Sequence, residues 1–290
     1  MKIEYINQRF NASSVKIIDA ANKIIEEYSG QGYSLTLRQL YYQFVSRDLI
    51  ANKQTEYKRM GQVINNARLA GLIDWNAIID RTRSLKSLSH WDHPREIVSS
   101  CASQFAMDKW EGQDYRVEVW IEKDALVGVI DAACQKWDVP YFSCRGYTSQ
   151  SEMWRASQRH LGHESNNQGV VIIHLGDHDP SGMDMTRDVD DRLITFGTST
   201  KIKRIALNIG QVKKYNPPPN PTKITDSRSR PYMRKFGKKS WELDALEPKV
   251  ISKLIEKNIL KYLDTDMFEE VKEQEAAHRE TLEEIACDMD

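Results

Sequence analysis

Three amphipathic patterns open the chain. Over residues 11–28 the apolar positions Val15, Ile18, Ala21, Ile24 and Ile25 recur at helical spacing, and Ser29-Gly30-Gln31-Gly32 stops them. A second helix is expected over residues 34–50, with Thr36 as its N-cap and Leu37, Leu40, Tyr41, Phe44 and Val45 as its buried stripe. On that wheel Tyr42 points about 100° away from Tyr41 and stays accessible. A third pattern covers residues 55–70 and ends at Gly71, and residues 72–83 close the first domain. Three short helices with tight polar turns are consistent with a helix-turn-helix or winged-helix module, in which Lys58, Arg59 and Arg68 would contact phosphates. This places a first domain at residues 1–94 and a linker helix at 95–111.

The period then changes. Val117, Val119 and Ile121 alternate with Glu118 and Trp120 as in a strand, Glu122 stands at its end, and a helix pattern follows over residues 124–137. A short strand at 139–144 precedes a helix at 149–161, whose end carries His160 and His163 as expected surface residues. Val170, Val171, Ile172 and Ile173 form an unbroken apolar run, the mark of a strand buried on both faces. Asp177 and Asp179 follow it, then Pro180 and a helix to about residue 194, and another strand at 202–207. Strands alternating with helices argue for an α/β domain over 112–290 with a parallel sheet and right-handed crossovers. Ligands of such sheets gather outside the carboxyl ends of the strands, where Glu122, Asp177 and Asp179 fall.

Those acids admit two readings. Asp179 before Pro180 is a sound helix start, which leaves Asp177 unexplained. Two carboxylates ~4 Å apart repel by roughly 4 kcal/mol at an effective dielectric near 20. A divalent cation turns that repulsion into binding, and hard oxygen ligands suit Mg²⁺ or Mn²⁺. Tyr41 and Tyr42 divide similarly: read alone they are two amphipathic tyrosines. As a nucleophile either one, with an ordinary pKa near ~10, needs a neighbouring cation, and Arg38 lies one turn before.

The 290 residues carry a net charge of −1, which excludes a uniformly basic nucleic-acid coat. The charge is uneven, however. Residues 199–240 hold twelve Lys or Arg against one acid, whereas residues 264–290 hold eleven acids against Lys272 and Arg279. After the proline-rich stretch 216–221 an extended arm is expected, on which Arg228, Arg230, Arg234, Lys235, Lys238 and Lys239 interleave with Tyr232 and Phe236 and suit a nucleic-acid backbone. Arg145 is a further candidate phosphate contact. Helix patterns at 249–263 and 267–289 finish the chain, the last suited to a partner subunit or to solvent. Cysteines 101, 134, 144 and 287 form no CxxC pair, so neither a disulfide framework nor a zinc site is expected. His90 and His93 have no cysteine near them and are not read as zinc ligands. No apolar run approaches the ~18 residues of a membrane span, and residues 1–10 lack a signal-peptide core, so the expected location is cytoplasmic.

A glutamate after one strand, and Asp-x-Asp with Pro-x-Gly after a later one, resembles the Toprim domain of topoisomerases, bacterial primases and some nucleases. The segments IEKDAL (121–126) and DHDPSG (177–182) are similar to those of topoisomerase VI A subunits and their meiotic double-strand-break relatives, most of all the stand-alone "mini-A" proteins. TLRQLYY (36–42) resembles the active-site helix of that family, and Cys144–Thr148 resembles its glycine-centred loop. The resemblance implies a winged-helix-like domain joined to a Rossmann-like Toprim domain, and Mg²⁺-dependent cleavage of double-stranded DNA by transesterification. Tyr42 would be the nucleophile with Tyr41 as fallback, Arg38 its cationic neighbour, and Glu122, Asp177 and Asp179 the metal ligands. It further implies a homodimer in which each tyrosine works with the metal of the other subunit, leaving a double-strand break. Topoisomerase VI requires an ATPase with a GHKL fold; no stretch of these residues reads as one, so whether the chain passes strands, merely cuts or works with a separate ATPase partner stays open. Two alternatives stand beside it. One is a hydrolytic Toprim endonuclease, resembling the nuclease subunit of some SMC-type plasmid-defence systems, and the other is a DNA-binding regulator without catalysis.

Overall fold

Helix α1 (Ala12–Ser29) starts where the Asn11 side chain accepts the Ser14 N–H at 2.8 Å. The computed structural model describes residues 1–79 and 88–289. The buried face of α1 is Ile17, Ile18, Ala21, Ile24, Ile25 and Tyr28; Val15, expected in that stripe, is exposed and Ile17 takes its place. Helix α2 (Leu37–Ser46) begins at a reciprocal capping box between Thr36 and Gln39 and ends sooner than its apolar pattern. Helix α3 (Gln54–Leu69) completes the trio. Their shared core takes in Leu35, Ile73 and Ile78 and, from far along the chain, Ala245. Residues 80–83 of the segment expected to close this part lie outside the described residues.

Helix α4 (Pro94–Gln104) stops at Phe105, whose backbone is extended, so the helix expected over 95–111 is shorter. The sheet follows: β1 (Tyr115–Ile121), β2 (Tyr141–Ser143), β3 (Gly169–Leu175) and β4 (Lys201–Ala206), all parallel, in the order β2-β1-β3-β4. Helices α5 (Val127–Lys136), α6 (Gln150–Ser165) and α7 (Pro180–Thr195) make the crossovers. Helix α8 (Ile209–Tyr215) leads to two short antiparallel strands, β5 (Asn220–Pro221) and β6 (Lys239–Ser240), which bracket helix α9 (Ser229–Phe236). The basic segment is therefore a folded flap and not an extended arm. Helices α10 (Pro248–Ile259) and α11 (Thr265–Cys287) end the chain. Helix α4 lies along α11: the Phe105 carbonyl accepts from Arg279 Nε at 2.7 Å, and the Met107 N–H donates to Glu275 at 2.8 Å.

The described residues thus form a mixed α/β structure with eleven α-helices and a four-stranded parallel sheet. The apolar run of β3 is explained by burial on both faces. Val119, Ile121, Ile173 and Leu175 meet α5 and α10 on one side, and Trp120 and Ile172 meet α6 and α7 on the other. Each such side chain stabilises the fold by roughly 1.5–3 kcal/mol. The one carboxylate inside β1, Glu118, is paid for by four donors: Trp120 Nε1 at 2.8 Å, Arg159 at 2.7 and 3.0 Å, and His160 at 3.2 Å. Burial acts to raise its pKa, yet His160 and Arg159 hold it well below the usual carboxylate range. His160, expected at the surface, is buried and also bonds Thr200 at 3.0 Å. No helix among the described residues is long and apolar enough to cross a membrane.

Candidate active site

Strands β1 and β3 run in register, with Ile121 beside Leu175, so Glu122 and Gly176 leave the sheet next to each other. The Asp177 N–H then donates to Glu122 Oε2 at 2.8 Å, which joins the two acid-bearing strand ends that the sequence predicts to be neighbours. Asp179 caps α7, accepting the Gly182 N–H at 2.6 Å. From β4, the Arg204 guanidinium donates to the carbonyls of Gly176 (2.9 Å), Asp177 (2.5 Å) and Gly182 (2.9 Å). It braces the acid turn through the backbone and leaves the carboxylate oxygens free of it. Gly182 is needed here because a Cβ would fall 2.4 Å from the Asp177 carbonyl oxygen and 2.9 Å from Glu122 Oε2. Gly182→Ala is expected to lose about 1–3 kcal/mol by displacing that turn, measured as a lower midpoint in urea.

Asp177 is almost wholly enclosed. Its Oδ1 accepts the Leu243 N–H at 2.8 Å and its Oδ2 faces Lys123 Nζ at 3.0 Å. Lys123 also reaches Glu242 at 2.7 Å and Asp244 at 3.0 Å. Arg38, projecting from α2, pairs with Glu242 and, at 2.9 Å, with Asp244. Its guanidinium carbon lies 5.8 Å from the centroid of the Tyr42 ring. Glu242, which accepts from Asn220 at 3.1 Å, acts with Asp244 to raise the pKa of the Tyr42 phenol. Tyr42, Arg38, Glu122, Lys123, Asp177, Asp179 and Glu242 all line one cavity of about 790 Å³.

This corrects the expectation that Tyr42 is exposed: it is 5% accessible. The short turn Leu243–Ala245 covers the second side of α2, which the helical wheel had assigned to solvent. Tyr41 is fixed differently, its hydroxyl directed at Asn52 Oδ1 and the Lys53 carbonyl, both at 3.2 Å, which makes it a strut between α2 and α3. His178, between the two acids, is buried, and that burial lowers its pKa. Its Nδ1 meets the Tyr232 hydroxyl at 2.7 Å, and its backbone pairs with Trp241 at 2.8 and 2.9 Å, so it fastens the basic flap to the acid turn.

Charge in the cavity is not balanced at the acid turn. Burial pushes Asp177 up to about 8, with Lys123 opposing and Glu122, Asp244 and Glu242 reinforcing. Burial also raises Glu122, opposed by the Asp177 N–H and Lys123. Glu242, despite burial, is held down to about 2 by Lys123 and Arg38. Burial raises the Tyr42 phenol, and Asp244 and Glu242 add to that shift. A shortage of positive charge beside oxygen donors is what a hard dication relieves, so the donor set fits Mg²⁺. Glu122, Asp177 and Asp179 would hold it. Among the described residues no three His, Cys, Asp or Glu side chains stand together as a ready-made metal site, so side-chain rotation would have to accompany any binding.

A thermal-shift measurement tests the fit. A carboxyl whose folded pKa is raised contributes stability present below its ordinary 3.8 and lost as pH rises through about 8. Cation binding requires the ionised form and restores that loss. Mg²⁺ is therefore expected to raise the melting temperature by a few degrees near pH 8.5, by little near pH 5, and not at all in Asp177→Asn.

The predicted phosphate contacts divide. Lys58, Arg230, Arg234 and Lys235 are exposed, the last three on the flap, whose Pro221, Lys223 and Asp226 border the cavity. Arg228 is instead paired with Asp226 at 2.8 Å and Asp184 at 3.1 Å, and Arg68 donates to the Trp75 carbonyl at 2.8 Å beneath its ring. Both are structural braces. Arg59 pairs with Glu56 at 2.6 Å and Arg145 with Asp124 at 3.1 Å, both on the surface. Lys123, Glu242 and Asp244 were missed in the sequence. The alternation of Trp241, Leu243 and Ala245 with two acids was the one available signal.

No family model, curated protein or solved structure matches the chain.

Proposed function

We propose that the protein cleaves DNA by Mg²⁺-dependent transesterification, in the manner of a topoisomerase VI A subunit, with a winged-helix-like part carrying Tyr42 and a Toprim-like part carrying the acids. The observation that carries this reading is the single cavity shared by Tyr42 and Arg38 with Glu122, Asp177 and Asp179. The Tyr42 oxygen attacks phosphorus and forms a phosphotyrosyl bond while one phosphorus–sugar oxygen bond breaks. The phenol proton is lost to solvent as the bond forms, and the departing sugar oxygen takes up a proton from solvent. Arg38 faces both the phenol and the incoming phosphate. A bound Mg²⁺ supplies charge neutralisation on the phosphate. The exposed cations Lys58, Arg230, Arg234 and Lys235 make the salt-sensitive backbone contacts. Double-stranded DNA is the substrate, and a homodimer with a separate ATPase belongs to the same reading.

One observation favours a second reading. The Tyr42 phenol is enclosed and burial raises its pKa, whereas a hydrolytic endonuclease needs the acids alone. The test is incubation with supercoiled plasmid and Mg²⁺, with products resolved before and after protease digestion. Transesterification leaves protein on the DNA ends. Hydrolysis leaves free ends that Asp177→Ala abolishes, and a regulator binds without cutting.

A further inference from the structure

We infer that Lys53 and Lys223 form a phosphate subsite on the rim of the cavity, where they grip the DNA backbone beside the phosphodiester that reacts. The inference takes its ligand from the transesterase reading. It is the same whichever subunit's acids meet a given tyrosine, because Lys53 follows the helix that carries Tyr42 and Lys223 belongs to the flap fastened to the acid turn.

Among the described residues, four basic side chains line the cavity: Arg38, Lys53, Lys123 and Lys223. Two of them are already offset by carboxylates. Arg38 pairs with Glu242 and Asp244, and Lys123 with Asp177, Glu242 and Asp244. Lys53 and Lys223 are exposed, and among the described residues neither ammonium has a carboxylate partner. A phosphate entering the cavity therefore finds its uncommitted positive charge at these two positions. The flap cations Arg230, Arg234 and Lys235 are exposed too, but they do not line the cavity.

The backbone beneath each lysine is fixed although its head is free. The Lys53 carbonyl accepts from the Tyr41 hydroxyl at 3.2 Å. Thr222, just before Lys223, donates its N–H to the Lys238 carbonyl at 3.0 Å, and the Lys223 carbonyl accepts the Asp226 N–H at 3.1 Å. The two segments also meet each other. Asn52 Nδ2 donates to Asn220 Oδ1 at 2.6 Å and to the Pro219 carbonyl at 3.3 Å. Lys53 is the residue after that contact on one side, and Lys223 follows it closely on the other. A strand crossing this seam meets one cation from each half, at the cavity that Tyr42 and the acids share. Contacts of this kind set the register of a backbone without reading its sequence.

The test reads binding and chemistry separately. Binding of a short DNA duplex by the full chain is titrated at several NaCl concentrations without Mg²⁺. Protein-linked plasmid ends are then counted with Mg²⁺, at DNA concentrations that saturate each variant. Lys53→Gln and Lys223→Gln are each expected to make the slope of log affinity against log salt shallower by about 0.9 per bound chain, and the double variant by about 1.8. Lys257→Gln, on the exposed side of α10, leaves the slope unchanged, and the paired arginine variant keeps it. At saturation the double glutamine variant still yields on the order of tenfold fewer protein-linked ends, because the strand is misplaced. Lys235→Gln, by contrast, regains the wild-type yield once saturated. A double-variant slope equal to that of wild type overturns the inference, and so does a full yield at saturation. A wild type that forms no protein-linked ends overturns the transesterase reading, and the slopes then decide the subsite on their own.

Discussion

Tyr42→Phe is expected to reduce covalent protein–DNA adducts by on the order of 10⁴-fold, down to the floor of the assay, because the nucleophilic oxygen is the only atom removed. The ring remains, and with it the edge-to-face contact with Tyr41 at 5.3 Å. Glu242 keeps Lys123 at 2.7 Å, Asn220 at 3.1 Å and its pairing with Arg38. Loss of one hydroxyl at a site where the acids keep their cations costs about 1 kcal/mol or less in stability. The variant should therefore fold, bind DNA and fail only in chemistry. Tyr41→Phe is the control: it loses bonds to residues 52 and 53, so it should lower stability modestly while adducts persist. Undiminished cutting by Tyr42→Phe, with ends free of protein, would transfer the reaction to the hydrolytic reading.

Lys123→Met should give the largest loss of stability, about 3–5 kcal/mol at neutral pH. Methionine fills the stem of the lysine but removes the ammonium that Asp177, Glu242 and Asp244 share at 2.7–3.0 Å, leaving Arg38 as the cation beside the last two. The lysine itself shows how strong the surroundings are. Burial acts to lower its pKa, yet Asp244, Asp177 and Glu242 together raise it. The direction with pH follows from the acids left behind. Without the ammonium, burial raises the folded pKa values of Asp177 and Glu242, so the stability they allow is present at acid pH and is lost as pH rises through those values. The deficit relative to wild type should accordingly be small near pH 4 and widest above about pH 8, read from urea midpoints at each pH. A gap independent of pH would mean that the lost ammonium contributes packing and not charge.

Strands β1, β3 and β4 were legible because alternation and an unbroken apolar run both follow from which faces are covered, and the acids at their ends follow from parallel topology. The start of α2 was legible from Thr36 and Gln39, a local pair that depends on nothing distant. The burial of Tyr42 was not, since the wheel reveals one apolar stripe and cannot register a second wall supplied by residues 243–245. Likewise Arg68 and Arg228 look like any exposed cations until Trp75, Asp184 and Asp226 are brought to them by the fold. The length of α4 failed for a related reason. Its continuation is replaced by backbone bonds to Glu275 and Arg279, side chains some 170 residues away. Lys123 carried no local mark at all, because its significance lies in three acids that converge only in space.

The histidine lodged between the two aspartates has its ring wedged among Tyr232, Phe236 and Trp241, with centroids 5.5, 4.7 and 5.7 Å away. The peptide that spaces the acids is thus anchored to α9 and to the residue after β6. A substitution that loosens this aromatic cage is expected to disturb the acid turn and the flap together. In the proposed transesterase, the cations of the flap and the acids of the turn would thus share one anchor.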